Sequence, residues 1–252
     1  MRRALRGARA AWWRARFRLW AARLDLELRR RGGRLVLDAP HGLRFDGPPR
    51  IRAVMRGEGD GTFTLRVGRR ASVGRDLHLE VWAQGTNVLE LGDDAYLLDG
   101  VRILLRSGSV RLGARTLVRD YSVLKSEGVL EIGADAQVSY HSVIHCRERV
   151  ELADRVMMAE RVTVVDSEKV RDGGDTPIVE GPLRVGPIAL GRNVYVGAGV
   201  VITHGSRVGE NSTVAAGAVL AGGEFPAGWV IGGVPATALR PLGEPSLATP
   251  PG

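Results

Sequence analysis

Cysteine is almost missing from this sequence, with Cys146 the only one. An internal disulfide and a cysteine-rich zinc site are thereby excluded, and a reducing, cytoplasmic setting is expected. Long apolar runs are missing too, because no stretch approaches the roughly eighteen residues of a membrane-spanning helix. The N-terminus carries the positive charge of a secretion signal, but Arg14, Arg16, Arg18 and Arg23 interrupt every stretch that could serve as its apolar region, so no export is expected. The formal charge of +8 lacks the distribution that nucleic-acid binding requires, with basic residues spread over a folded face and aromatics between them. Twelve arginines against Asp25 and Glu27 give residues 1 to 34 a charge of +10, and the other 218 residues sum to −2. No nucleic-acid partner is expected.

What is present is globular composition, 252 residues with 44% apolar and 25% charged, enough for a sizeable core. Residues 3 to 31 hold no proline and only Gly7 before the Gly32-Gly33 stop. Trp13, Phe17, Trp20, Leu24 and Leu28 recur there at steps of four, three, four and four, which puts them on one helical stripe. Arg2, Arg3, Arg9, Arg14, Arg18, Arg29 and Arg30 lie mostly away from it. The pattern predicts an Arg-rich amphipathic helix over 1–34. Its stripe has two uses: residues 1–31 lie on a membrane surface, where Arg stems and Trp rings suit headgroups, or the stripe packs on the protein's own body or a sister subunit.

The body follows one repeat. Aligned starts are Leu91-Gly92, Leu112-Gly113, Ile132-Gly133, Leu152-Ala153, Leu190-Gly191 and Val208-Gly209. Six and twelve residues after each start stand Leu97 and Ile103, Val118 and Leu124, Val138 and Ile144, Met158 and Val164, Val196 and Ile202, Val214 and Leu220, so all eighteen positions are apolar. The second inward positions are Ala95, Thr116, Ala136, Val156, Val194 and Ser212, then Val101, Ser122, Ser142, Val162, Val200 and Ala218, all small or β-branched. A large aliphatic residue every six positions, with a small one and a turn between, describes a flat side and a corner. Three sides close a triangular coil, and coils stacked at a strand spacing of about 4.8 Å bury an axis that no coil could bury alone. Val67-Gly68 and Val73-Gly74 point to an earlier, less regular coil. A capping β segment is expected over 35–66, the prism over 67–242, and a loose Pro-rich tail over 243–252.

Six consecutive coils of this form resemble the hexapeptide-repeat acyltransferase family, and within it the sugar O-acetyltransferases. The resemblance implies an all-β fold, a left-handed parallel β-helix, here with an N-terminal amphipathic α-helix. The left hand is an exception to the usual crossover rule. It further implies a homotrimer, acetyl-CoA as acyl donor, no metal, and a sugar or glycan hydroxyl as acceptor.

Spacings between starts are 21, 20, 20, 38 and 18, so about twenty extra residues leave the prism between Val165 and Ile188. Four Gly, three Pro and eight charged residues mark 166–187 as an extruded loop, and loops on rigid scaffolds concentrate binding groups. In the family a loop departs at this place beside a catalytic His, which takes the acceptor's hydroxyl proton during attack on the thioester. Lys169 stands at that position here. A lysine serves as base only when burial or a nearby cation lowers its pKa, and a solvated loop lysine is the plain alternative. His204 lies fourteen residues after Leu190 and Asp166 fourteen after Leu152, so both should share one corner of adjacent coils, the carboxylate orienting the imidazole. His145 follows inward Ile144 and should point outward, toward a neighbouring subunit. The donor groove implied by the resemblance is carried by Gly197, Ala198, Ala216 and Gly217, whose small size leaves room for a thin ligand, and by the end sequence Val234-Pro235-Ala236. The family often has Lys after Pro-Ala; Thr237 is there instead, so Arg240 or Arg192 would meet the phosphates. Gly and Ala that merely make tight corners are the plain alternative.

Two other functions fit the same prism. A non-catalytic scaffold or paralogue would have kept the fold after the His became Lys169. A γ-type carbonic anhydrase needs three imidazoles, two with four residues between them. His141 and His145 have three between them, and no His occurs between 79 and 140. An Arg-rich helix on anionic lipid would make a lipid-linked or surface-polysaccharide precursor the acceptor.

Overall fold

The computed structural model describes residues 2–45, 52–56, 59–171, 173–175 and 177–243, and along the first helix the side chains at position 12 and from 14 onward. Apart from Gly243, the expected tail lies outside the described residues.

Short strands stack into three sheets of nine, ten and eight strands, parallel except for the last strand of the ten, one sheet per side of a left-handed triangular prism. One coil runs through Ser109–Leu112 on the first side, Leu117–Val118 on the second and Val123–Ser126 on the third. The register keeps like over like: Leu112 pairs with Leu91 below and Ile132 above, and Leu124 lies between Ile103 and Ile144. All eighteen aliphatic and all twelve small inward positions are buried. The six-residue period thus fills the axis with one contiguous core.

Corners between the first and second sides use a residue with positive φ in nearly every coil: Arg70, Asp94, Arg115, Asp135, Arg155, Asn193 and Asn211. Left-handed backbone costs a non-glycine residue about 1 to 2 kcal/mol. Stacking offsets part of it, because the side chains pair from coil to coil: Arg70 with Asp94, Arg115 Nε to Asp135 Oδ1 at 2.5 Å, and Asn193 Nδ2 to Asn211 Oδ1 at 3.0 Å.

The segment 35–66, expected as a cap, instead forms the first coil and opens the second. Arg34–Asp38 pairs in parallel with Thr62–Val67, Arg44–Phe45 with Ser72–Val73, and Arg52–Arg56 with His78–Trp82. The cap is helix α1 (Arg2–Arg29), which contacts all three strands of that coil. Phe17, Leu24 and Leu28 are buried in one cluster with Leu43, Phe45 and Phe63, with Trp20 partly buried beside them. Gly32 ends the helix at φ +86°, and the Gly33 N–H bonds the Leu28 carbonyl at 3.0 Å. The predicted stripe therefore packs on the protein's own body, not on a membrane; the side chain of Trp13 lies outside the described residues. Among the described residues no helix is long and apolar enough to cross a membrane.

Candidate active site

The chain leaves the prism after Thr163–Val165, as the spacing predicts. It forms an antiparallel hairpin, Ser167–Lys169 against Leu183–Val185, and re-enters at Ile188–Leu190. The hairpin's base is closed by the Gly186 N–H to the Asp166 carbonyl at 3.0 Å, and the Gly205 N–H in turn bonds the Gly186 carbonyl at 3.1 Å. His204 therefore sits on the third corner, directly against the hairpin. Its side chain is 19% exposed, and Nε2 lies 3.7 Å from Glu168 Oε1. Nδ1 is buried without a hydrogen-bond partner. Glu168 also accepts from Arg184 Nη1 at 3.0 Å across the hairpin.

The expected Asp166 to His204 relay is corrected. The register does bring both to one corner, since Val165 pairs with Thr203. But Asp166 is fully buried, and its carboxylate accepts the backbone N–H groups of Arg147 at 2.7 Å, Glu148 at 2.8 Å and Arg149 at 3.0 Å. It continues the inward series Leu105, Ser126 and Cys146 at this corner and pins the turn below, so its hydrogen bonds go to backbone and not to the imidazole. Glu168, which the sequence reasoning missed, is the carboxylate that faces His204. Strand alternation holds the signal: in a hairpin arm, neighbours point to opposite faces, so Glu168 and Lys169 cannot both face the prism.

Lys169 points the other way. Its Nζ donates to the carbonyls of Val179 at 2.9 Å and Gly181 at 3.1 Å, on the exposed side of the hairpin. That is a loop-closing tie. His145 is half-buried on the third side, between Lys125 and Val165 in register. Desolvation holds its pKa below the ordinary histidine value, and Lys125 adds to the lowering against Glu127 and Asp166. The imidazole is therefore neutral near pH 7. His141 stacks on Tyr121 at 5.4 Å on the second corner, away from His145.

The residues expected to line a donor groove gather at that second corner, the opposite edge of the third side. Gly197 is structural, because a Cβ there would meet Ala216 N at 2.5 Å. Gly199 and Gly217 adopt φ +69° and +72°, and a Cβ at either meets nothing within 4 Å. The coils below carry Tyr121, His141 and Arg161 at the equivalent positions. Ala198 and Ala216 thus belong to a corner that becomes bare over its last two full coils. Above it the hairpin of Trp229–Gly233 and Ala236–Pro241 turns through a cis Val234-Pro235 bond. The Ala215 N–H bonds Ile231 O at 2.8 Å, so the tip with Val234, Pro235 and Ala236 stands over the bare corner, with Arg240 on the returning strand.

A groove of about 760 Å³ runs elsewhere, along the outer face of the first side, between Glu90, Arg111, Glu131, Glu151, Arg207 and Glu224. Arg111 there pairs with Glu131 at 2.8 Å, and neither imidazole nor hairpin lines the groove.

Known proteins share part of this sequence pattern. Residues 187–222 match the model of the bacterial transferase hexapeptide (six repeats), a span that holds Gly197, Ala198, His204, Ala216 and Gly217. The galactoside O-acetyltransferase of Escherichia coli (strain K12) is 27% identical over 120 residues, 46% of this chain, and the match spans 55% of that enzyme's length. A maltose O-acetyltransferase from Clostridium difficile 630 is 24% identical with a TM-score of 0.40, over 53% of this chain and 66% of the other. A hexapeptide-repeat acetyltransferase from Vibrio cholerae is 22% identical with a TM-score of 0.47, over 52% and 73%. The chain is similar to hexapeptide-repeat sugar O-acetyltransferases.

Proposed function

We propose that this protein is a CoA-dependent O-acyltransferase that moves an acetyl group from acetyl-CoA to a hydroxyl of a sugar or glycan precursor, in the cytoplasm where that donor is made. The observation that carries the reading is an imidazole, His204, held beside a carboxylate, Glu168, at the mouth of a hairpin on a hexapeptide prism. The family match over the same residues and the 27% identity to a galactoside O-acetyltransferase support it.

In this reading His204 Nε2 removes the acceptor's hydroxyl proton as the oxygen attacks the thioester carbonyl. The C–S bond then breaks and the imidazolium returns its proton to the departing CoA sulfur. Glu168 Oε1, 3.7 Å from Nε2, is the carboxylate beside the nitrogen that would take the proton. Gly197, Ala198, Ala216 and Gly217 would flank the thin arm of CoA, with Val234, Pro235 and Ala236 at its far end and Arg240 for phosphate.

Those residues and His204 lie on opposite edges of the third side, so a homotrimer in which the second corner of one copy meets the third corner of the next would complete three sites. Surface chemistry favours such packing. The outer face of the first side bears Arg66, Glu90, Arg111, Glu131 and Arg207, whereas the second presents Leu117, Met157 and Tyr195 and the third Val123, Val143, Val165 and Val201.

Replacing His204 by Ala should lower kcat by about 10² to 10⁴, the usual contribution of a general base. Glu168→Gln should cost roughly fivefold to tenfold, as expected of a partly solvated charge pair worth about 1 kcal/mol. CoA release with a galactoside or maltoside acceptor is the measurement, and an unchanged kcat in His204→Ala overturns the assignment. The second reading, a non-catalytic paralogue, is favoured by the Lys169 tie to Val179 and Gly181. Activity that arises only in Lys169→His would establish it.

A further inference from the structure

Helix α1 has a second apolar stripe, on the side away from the prism. Trp12, Leu19 and Leu26 recur at steps of seven and are 49%, 58% and 50% exposed. Ala15 and Ala22 lie between them and are exposed as well. At 3.6 residues per turn these five positions fall on one face, and Phe17, Ala21, Leu24 and Leu28, which are buried against the first coil, fall on the opposite one.

Arginine borders the outer stripe on both flanks, Arg16 and Arg23 along one edge and Arg18 and Arg29 along the other, with Arg30 at its end. The Arg16 guanidinium lies 4.4 Å from the centre of the Trp12 ring. The two acids of the helix, Asp25 and Glu27, lie off this stripe, and Asp25 is tied to Arg29 at 2.8 Å. The outward face is thus apolar along its middle and cationic along both borders.

We propose that this face binds the surface of an anionic lipid bilayer. Charge decides among the occupants. A second copy of the helix would set one arginine-bordered stripe against another, and the rest of the chain, at −2 over 218 residues, carries too little net negative charge to complement it. A bilayer with anionic headgroups meets both features at once: Trp12, Leu19 and Leu26 enter the acyl boundary while the flanking arginines reach the phosphates along their own aliphatic stems.

Because α1 lies across the first coil, the bound prism stands on its end. His204 closes the seventh coil, six spacings higher, or about 30 Å at 4.8 Å per strand. Taken with the acyltransfer reading, this favours a glycan extending from a lipid over the lipid itself.

Co-sedimentation of the full-length protein with vesicles tests the surface without reference to activity. Wild type should partition to phosphatidylcholine vesicles containing phosphatidylglycerol at least about tenfold more than to phosphatidylcholine alone, and salt should weaken it. The triple substitution Trp12→Ser, Leu19→Ser, Leu26→Ser should lose at least about tenfold of that partitioning with an unchanged melting temperature, since all three side chains are exposed. Quenching of wild-type tryptophan emission by brominated acyl chains reads the same contact without any variant. Wild type that stays in the supernatant with anionic vesicles overturns the proposal. So does a triple variant that binds as wild type does, or a helix face that takes up an acidic peptide while ignoring vesicles.

Discussion

His145 and Cys146 are neighbours in sequence with opposite environments, because strand alternation turns one outward and the other into the axis. Burial, with the Asp166 charge adding to it, pushes the Cys146 thiol up to about 12. A thiolate-specific reagent that follows CoA release therefore reads CoA and not the protein. His145 is only half-buried, yet desolvation and Lys125 hold its pKa below the value it has in an unfolded chain, with Glu127 and Asp166 opposing and Arg106 assisting. The unfolded chain takes up the proton first as pH falls, so the stability tied to the neutral imidazole is complete above about pH 6.5 and is lost as pH drops through the lower folded value. His145→Gln should accordingly show a smaller fall in unfolding free energy than wild type between pH 7.5 and 5. Denaturant titrations at the two pH values decide it: equal falls would mean that His145 is not held neutral by the fold.

At the scale of corners and hairpins, glycine has two separable roles. A Cβ on Gly113 would come within 2.5 Å of Ala134 N and 2.6 Å of Gly133 C, so the coil above must move, although Ala153 takes this position in the coil before the hairpin. Gly217 faces open space and needs only its φ of +72°. Gly113→Ala should cost about 2 to 3 kcal/mol by overpacking, and Gly217→Ala about 1 kcal/mol by backbone strain alone. Chemical denaturation measures both, and an equal cost would refute the stacking account. The same distinction explains what could be read of the site before the structure. The 38-residue interval located the hairpin, since a period broken once can only be an insertion. It could not say which hairpin residue turns back to the prism, because that depends on where the antiparallel arms pair. Hence the sequence pattern marks Lys169 and leaves Glu168 unmarked. Asp166 was misassigned for a related reason: the third side has a second inward position, Leu105, Ser126, Cys146, whose period becomes visible only when Ser and Cys are counted as core.

For the whole molecule, periodicity was legible wherever coils are near eighteen residues and hid where they are longer. From Arg34 to the strand at Thr62 the first coil spans 28 residues and has no aliphatic-glycine step, so it read as a separate cap although its three strands pair in register. That misreading also obscured the helix's task. A prism of parallel coils must end somewhere, and an open end exposes both its core and a row of unpaired backbone groups. The inner face of α1 closes that end with Phe17, Leu24 and Leu28. Since each coil contacts only its neighbours, damage at the cap should spread from the first coil upward and weaken with distance. Leu28→Ala, at a side chain 1% exposed, should cost about 2 to 5 kcal/mol locally. Hydrogen exchange should then quicken over residues 34–82 while strands Thr163–Val165 and Val201–Thr203, beside His204, keep their protection. Uniform loss of protection along the prism would instead mean that it unfolds as one unit, and that the helix stabilises the distant corner as much as the coil it covers.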